Sequence, residues 1–281
     1  MKILIVLVRW KGGVGRVISS IKPLLEKAGN EIEVISREDD LKCFSLKDSF
    51  FRLKKEVKKR DYDILYTQDW SCALPFLFWK KHYCCFHGND PNKFGRLMQN
   101  LVGKIIGKRL IVVGKYNNLK FPKSHYIPNS IDINQFKPLK KIKRVYLGWI
   151  NKTTEMINKD EILKVGNEVN LPVSIAENVP SNKMNEWYNS LKVFISLPPK
   201  SAGHQLSWME AMAAGVPRII GNYNGDGGNY PITQIDNFKN LREAVEKSKK
   251  RDYRALLKKK RESWKNHVNR LLEVLKNEKR V

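Results

Sequence analysis

Cysteine and acid are both scarce in this sequence, and each scarcity excludes something. The four cysteines in 281 residues, Cys43, Cys72, Cys84 and Cys85, show no Cys-x-x-Cys spacing, which argues against a disulfide scaffold or a zinc ribbon. His82 and His87 flank the Cys84–Cys85 pair, but strand alternation would send these side chains to two faces, a poor geometry for one metal. No stretch approaches the ~20 apolar residues of a membrane-spanning helix. The apolar run Ile3–Val8 is broken by Arg9-Trp10-Lys11, with no small-residue cleavage site behind it. It reads as a buried strand rather than a signal peptide, and a reduced, cytoplasmic protein is expected. There is no internal repeat and no low-complexity tract.

The shortage of acid makes charge the loudest bulk property. Lys and Arg number 53 against 28 Asp and Glu, a formal net charge of +25. The segment from Lys239 to Val281 alone carries 16 cations and 6 acids. An anionic partner is implied, whether a phosphorylated substrate, a membrane surface or nucleic acid, although no nucleic-acid motif appears. The competing account is a solvated, lysine-rich helix surface.

Short apolar runs alternate with amphipathic stretches. Strands are expected at Ile3–Val8, Ile32–Ile35, Ile64–Tyr66, Tyr83–Phe86 and Leu110–Val113. Helices are expected at Val14–Ala28, Lys47–Lys59, Ala73–Lys81 and Lys93–Lys108. A second cycle starts at Val145–Ile150 and continues through the helices Glu155–Glu168, Asn182–Ser190 and Gln205–Ala214. Its other strands fall at Pro172–Ile175, Val193–Leu197 and Pro217–Ile220. This alternation argues for βαβ units, parallel sheets and two α/β lobes. The aperiodic stretch Asn129–Lys140, bracketed by prolines, suits a linker. The expected division is residues 1–138, residues 139–236 and a basic helical tail, residues 237–281, packing back on the lobes.

Three segments carry candidate chemistry. Lys11-Gly12-Gly13-Val14-Gly15-Arg16 follows the first strand and opens a helix, where glycines allow a tight turn and free amides can meet a phosphate. It lacks both the Gly-Lys-Ser/Thr of a P-loop and the G-x-G-x-x-G spacing of dinucleotide folds, so a plain turn explains it equally well. His87-Gly88-Asn89-Asp90 follows a parallel strand, at the edge where such sheets bind ligands. His87 there could bond a sugar hydroxyl or donate to a departing phosphate, or simply occupy an ordinary turn. Ser201–Pro217 places a small-residue loop, a helix bearing Glu210 and a closing Gly-x-Pro in succession. Glu210 could accept two ribose hydroxyls while helix-start amides hold a diphosphate.

In that order these segments resemble the family-four glycosyltransferases, the large retaining GT-B group that uses nucleotide-sugars. The resemblance runs through Gly12–Arg16, Tyr62–Trp70, His87-Gly88, Ile127–Asp132 with Phe136 and Pro138, Val179–Ser181 through Tyr188-Asn189, and Glu210–Pro217. It spans about residues 1–225 and implies two Rossmann-like lobes with the donor in the cleft they form. It implies that Gly13 and Gly15 meet the donor diphosphate and that His87 reaches the donor sugar near the reacting carbon. The backbone of Gly203, His204, Gln205 and Leu206 would cradle phosphate and sugar, with Glu210 on the ribose. The donor would be UDP- or GDP-linked, with no metal or bound cofactor.

Three positions depart from the family pattern. Ala202 stands where the family has a glutamate eight residues before the ribose-binding one, and Trp149 stands where it has a phosphate-clamping arginine. Lys159 or Lys152 is the candidate replacement cation. Only one helix and one strand lie between Ile150 and Val179, so the second lobe is trimmed. The other readings are a nucleotide-sugar or carbohydrate-binding protein with little turnover, and a transferase acting on nucleic acid. Peripheral contact with an anionic membrane is a further expectation, through Lys93, Arg96, Lys104, Lys108 and Arg109 or through Arg254, Lys258, Arg261 and Lys265.

Overall fold

A computed structural model describes residues 1–150, 159–177, 179–198, 205–222, 230–236, 238–260 and 263–277. The chain separates into two compact units, Met1–Asn129 with Trp264–Val281, and Ser130–Ser263.

The first unit is built on a six-stranded parallel sheet: β1 (Lys2–Leu7), β2 (Glu31–Ser36), β3 (Ile64–Gln68), β4 (His82–Phe86), β5 (Leu110–Val112) and β6 (His125–Tyr126). Their order is β2-β1-β3-β4-β5-β6. The crossovers are α1 (Gly13–Lys27), α2 (Leu46–Lys58), the single turn α3 (Trp70–Ala73), α4 (Lys93–Ile106) and α5 (Lys115–Lys120). Strands covered on both faces have no polar side to present, and Ile3 through Leu7 are accordingly all buried. Leu4 and Val6 meet Leu53 and Val57 of α2, while Cys84 and Phe86 meet Val102 and Ile106 of α4. All four cysteines are buried thiols, and burial pushes Cys72 and Cys85 up to about 12.

The second unit repeats the plan with five parallel strands: β7 (Tyr146–Trp149), β8 (Val173–Ile175), β9 (Leu191–Ile195), β10 (Ile219–Gly221) and β11 (Thr233–Gln234), ordered β11-β10-β9-β7-β8. Among the described residues a single helix, α6 (Lys159–Glu168), and the single strand β8 fill the interval that the sequence marks as trimmed. Helices α7 (Met184–Asn189) and α8 (Leu206–Ala213) flank β9, and α9 (Leu241–Lys247) and α10 (Tyr253–Lys259) follow β11. The last helix, α11 (Trp264–Asn277), belongs to the first unit and packs on α1.

Several expectations change. The division falls after Asn129, not Pro138, because Ile131 and Phe136 are buried in the second unit's core. The basic tail is not one element. Helix α10 ends at Lys259 and α11 begins at Trp264 in the other unit, so Lys258 and Lys265 share no helix face, and Arg261 lies outside the described residues. Arg254 is not a surface cation either, since its guanidinium donates to the Phe136 and Ala213 carbonyls. The expected helix Ala73–Lys81 gives only α3 and one 3-10 turn, Leu74–Phe76. The strands β6 and β11, two residues each, are too short for any period to reveal.

Candidate functional site

In the first unit, β1→β2 runs to one side of the sheet and β3 returns to the other, so the switch point lies where β1 and β3 are neighbours. Ligands of open α/β sheets bind beyond the carboxyl ends of the strands at such a point. The loop after β1 is held there by Asp39, whose carboxylate accepts from the Trp10 amide at 2.6 Å. Helix α1 opens beside it at Gly13, after Gly12 at a φ of 107°.

The two glycines of interest differ. A Cβ on Gly13 would meet nothing within 4 Å, whereas one on Gly15 would lie 1.7 Å from the Trp10 carbonyl oxygen. Gly13 is therefore open for approach. Gly15 is a glycine because the loop folds back onto it, which accounts for the residue without a diphosphate.

His87 follows β4, two strands from β1 and so about 10 Å along the same edge. Its Nε2 pairs with Gln68 Oε1 at 2.8 Å. Burial, aided by neighbouring His267, pulls the imidazole down to about 4. At neutral pH His87 is uncharged, which suits hydrogen bonding to a hydroxyl and not a standing positive charge for phosphate. His267 of α11 donates from Nδ1 to the Pro128 carbonyl, 2.8 Å away. His82, by contrast, is structural. It is fully buried, with Thr67 on one ring nitrogen and the Phe76 carbonyl on the other.

Gln68 and Asp69, at the end of β3, were not singled out from sequence. The Gln68 side chain is 1% exposed, and its amide nitrogen has no partner among the described residues. Asp69 has a φ of 79°, uncommon outside glycine, and caps α3 through the Trp70 amide. Burial pushes its carboxyl up to about 6, with Asp90 adding to the rise. Asp90 itself accepts from Trp70 Nε1 at 2.9 Å. A folded-state value above the unfolded one means that ionising Asp69 weakens the fold, so this penalty is absent below about pH 4 and complete above pH 6. Asp69→Asn is therefore expected to stabilise the protein by on the order of 1–2 kcal/mol at pH 8, allowing for solvent screening, and by nothing at pH 4. Urea melts at the two pH values check this; an equal effect at both would refute it.

In the second unit the switch point lies where β7 and β9 are neighbours, and α6 and α8 both start from that edge. Helix α8 aims its N-terminus there. Its far end is secured by Arg144 donating to the Ala214 carbonyl and Arg254 to that of Ala213, cations matched to the negative end of the helix dipole. Gly215, at a φ of 76°, closes the helix with its amide on Met212 and that of Val216 on Ala211, a Schellman cap.

All eight residues of α8 are buried, Glu210 included at 4% exposed. The Glu210 carboxylate accepts from the Tyr188 hydroxyl at 2.8 Å. Gln205 is the helix N-cap residue, and the Leu206 side chain faces inward. Lys159 opens α6, where it meets Glu177 at 3.6 Å in an exposed pair that holds it only weakly. Trp149 is 2% exposed within the core, so no cation replaces it in place. Gly203, His204, Lys152 and Ala202 lie outside the described residues. Thus Gly13, Gly15 and His87 share one sheet edge, and Lys159, Gln205, Leu206 and Glu210 share the corresponding edge of the other unit. Asp61 and Asp63, the one Asp-x-Asp pair, sit at the opposite, amino edge, bonded to the Lys2 ammonium and backbone amide respectively.

No family model and no curated protein matches the sequence. Solved structures do match the fold. HepE of Anabaena in complex with UDP-glucose superposes with a TM-score of 0.71 at 13% identity, covering 99% of this chain and 100% of that one. A glycosyltransferase involved in avilamycin A biosynthesis gives 0.68 at 10% identity, covering 98% and 97%. A glycosyltransferase from Rickettsia africae gives 0.66 at 16%, covering 98% of each chain. The chain has the GT-B fold, two Rossmann-like parallel-sheet lobes with added helices.

Proposed function

We propose that the chain is a glycosyltransferase that moves a sugar from a nucleoside-diphosphate-sugar, UDP- or GDP-linked, to a hydroxyl of an acceptor, with retention and without a metal. The observation that carries this reading is α8, a helix N-terminus at a switch point with a buried carboxylate one turn in. That arrangement offers amides to a diphosphate and an acceptor to ribose hydroxyls. HepE, a protein with this fold, is known in complex with UDP and with UDP-glucose, which supports a nucleotide-sugar donor here.

In the proposed reaction the bond from the sugar carbon to phosphate oxygen breaks, and the nucleoside diphosphate leaves with the electron pair. The acceptor oxygen bonds the same face of that carbon, and its proton passes to the departing phosphate. On the second unit, the amides at the start of α8 and the Lys159 or Lys152 ammonium oppose the developing charge. Neutral His87 orients a sugar hydroxyl. A screen of UDP- and GDP-sugars, following release of the nucleoside diphosphate, tests the proposal. Donor binding with no release from any of them would leave a binding protein instead.

Metal independence has a separate test. The Asp61–Asp63 pair is at the amino edge and already bonded to Lys2, away from the edge where a diphosphate would sit. Transfer is expected to survive EDTA unchanged, and abolition by EDTA with recovery on Mn²⁺ would overturn that part of the reading.

A further inference from the structure

We propose that the face formed by α4 and α5 in the first unit docks on an anionic lipid surface. Amphipathic spacing on α4 ordinarily means packing, and half of that helix does pack: Gly95, Gln99, Val102, Gly103 and Ile106 are buried. Phe94, Leu97 and Leu101 turn the other way. At steps of three and four they form one stripe along the helix, about 10 Å long at 1.5 Å per residue. Tyr116 and Leu119 of α5 are placed likewise, and all five side chains are between 49% and 73% exposed.

The two helices are neighbours on one sheet face. They cross from β4 to β5 and from β5 to β6, and the Phe121 ring ending α5 fills the space over Gly103 of α4. Isolated exposed leucines need no explanation, but a run of large apolar side chains on adjacent helices marks an interaction site.

Charge selects the partner. From Pro91 to Asn129 the chain carries eight Lys and Arg and no Asp or Glu. Lys93 and Lys104, both exposed, border the apolar stripe, where their stems can lie along it while the ammonium groups reach outward. An apolar stripe edged by cations matches an interface of acyl chains under anionic headgroups. A second copy of the same face would meet its own positive charge. Nucleic acid would satisfy the cations but leave Leu97, Leu101 and Leu119 against water or phosphate. The proposal is independent of the glycosyl-transfer reading, since neither His87 nor any residue of the second unit takes part.

Sedimentation of the full chain with phosphatidylcholine vesicles, with and without phosphatidylglycerol, tests it. Wild type is expected to pellet with the anionic vesicles and not with the neutral ones, and to be partly released by salt. The variant Phe94→Ser/Leu97→Ser/Leu101→Ser should retain its melting temperature and lose vesicle partitioning by at least tenfold. Leu97→Glu, a single change at an exposed position, gives a second measure in case the triple variant folds poorly, and a loss in the same direction is expected. Partitioning that persists in both variants, or that is absent or equal for the two vesicle types in wild type, would overturn the proposal. So would duplex DNA binding that displaces the vesicles and survives both variants, or a vesicle-free dimer that they abolish.

Discussion

Gly15→Ala is expected to destabilise the first unit by about 3 kcal/mol, at the upper end of what overpacking does. Its Cβ would fall 1.7 Å from the Trp10 carbonyl oxygen and 2.5 Å from the carbonyl carbon. Both are backbone atoms, so no rotamer change relieves the clash. The loop cannot simply retreat, because the Trp10 amide is tied to Asp39 and Asp39 in turn accepts from Ser36 at the end of β2. Gly13→Ala is the matched control: a methyl there meets nothing within 4 Å, and φ is not in the left-handed region. It should leave stability unchanged or raise it by about 0.5 kcal/mol through loss of unfolded-state freedom. If a diphosphate approaches the α1 amides, the same methyl should weaken donor binding severalfold. A denaturant melt of each variant separates the two roles, and a Gly15→Ala protein as stable as wild type would refute the packing account.

The sequence carried the sheets better than the site. Strands such as Ile3–Leu7 are continuous apolar runs because both faces are covered, and a run of that kind needs no context to be seen. The segment Ala73–Lys81 has helical composition, yet it breaks after one turn at Leu74-Pro75. There tertiary packing of Phe76 beneath α2 prevails over propensity. The division of the C-terminal tail was hidden because both pieces are basic amphipathic helices. What separates them is that Tyr253 and Leu257 enter one core while α11 packs on α1. Gly15 was legible as a glycine but not as to purpose, since the Trp10 carbonyl it accommodates is known only from the folded loop. Asp69 was the least legible of all. Its shifted acidity arises from burial and from Asp90, 21 positions away in sequence, so nothing local announces it.

Glu210→Gln is expected to weaken nucleoside-diphosphate-sugar affinity by about 10- to 100-fold, the loss of one charge-assisted pair worth roughly 1.5–3 kcal/mol. Removing the whole side chain would be less informative, because Glu210 is 4% exposed on a helix with no exposed face. Its carboxylate also receives the hydroxyl of fully buried Tyr188. Truncation would therefore combine a lost ligand contact with a cavity and a lost buried hydrogen bond. Glutamine keeps the volume and an oxygen for the Tyr188 hydroxyl while removing the charge. Tyr188→Phe supplies the other half of the comparison, deleting the hydroxyl that orients the carboxylate and leaving the carboxylate in place. If Glu210 holds ribose, Glu210→Gln should raise Kd for the donor strongly and for the free sugar not at all, with Tyr188→Phe smaller in the same direction. If Glu210 serves packing alone, both variants should shift the melting temperature and leave donor affinity untouched. Calorimetric titration with UDP and UDP-sugars, beside a thermal melt of each variant, distinguishes the two outcomes, and the second would remove the ribose contact on which the reading of α8 depends.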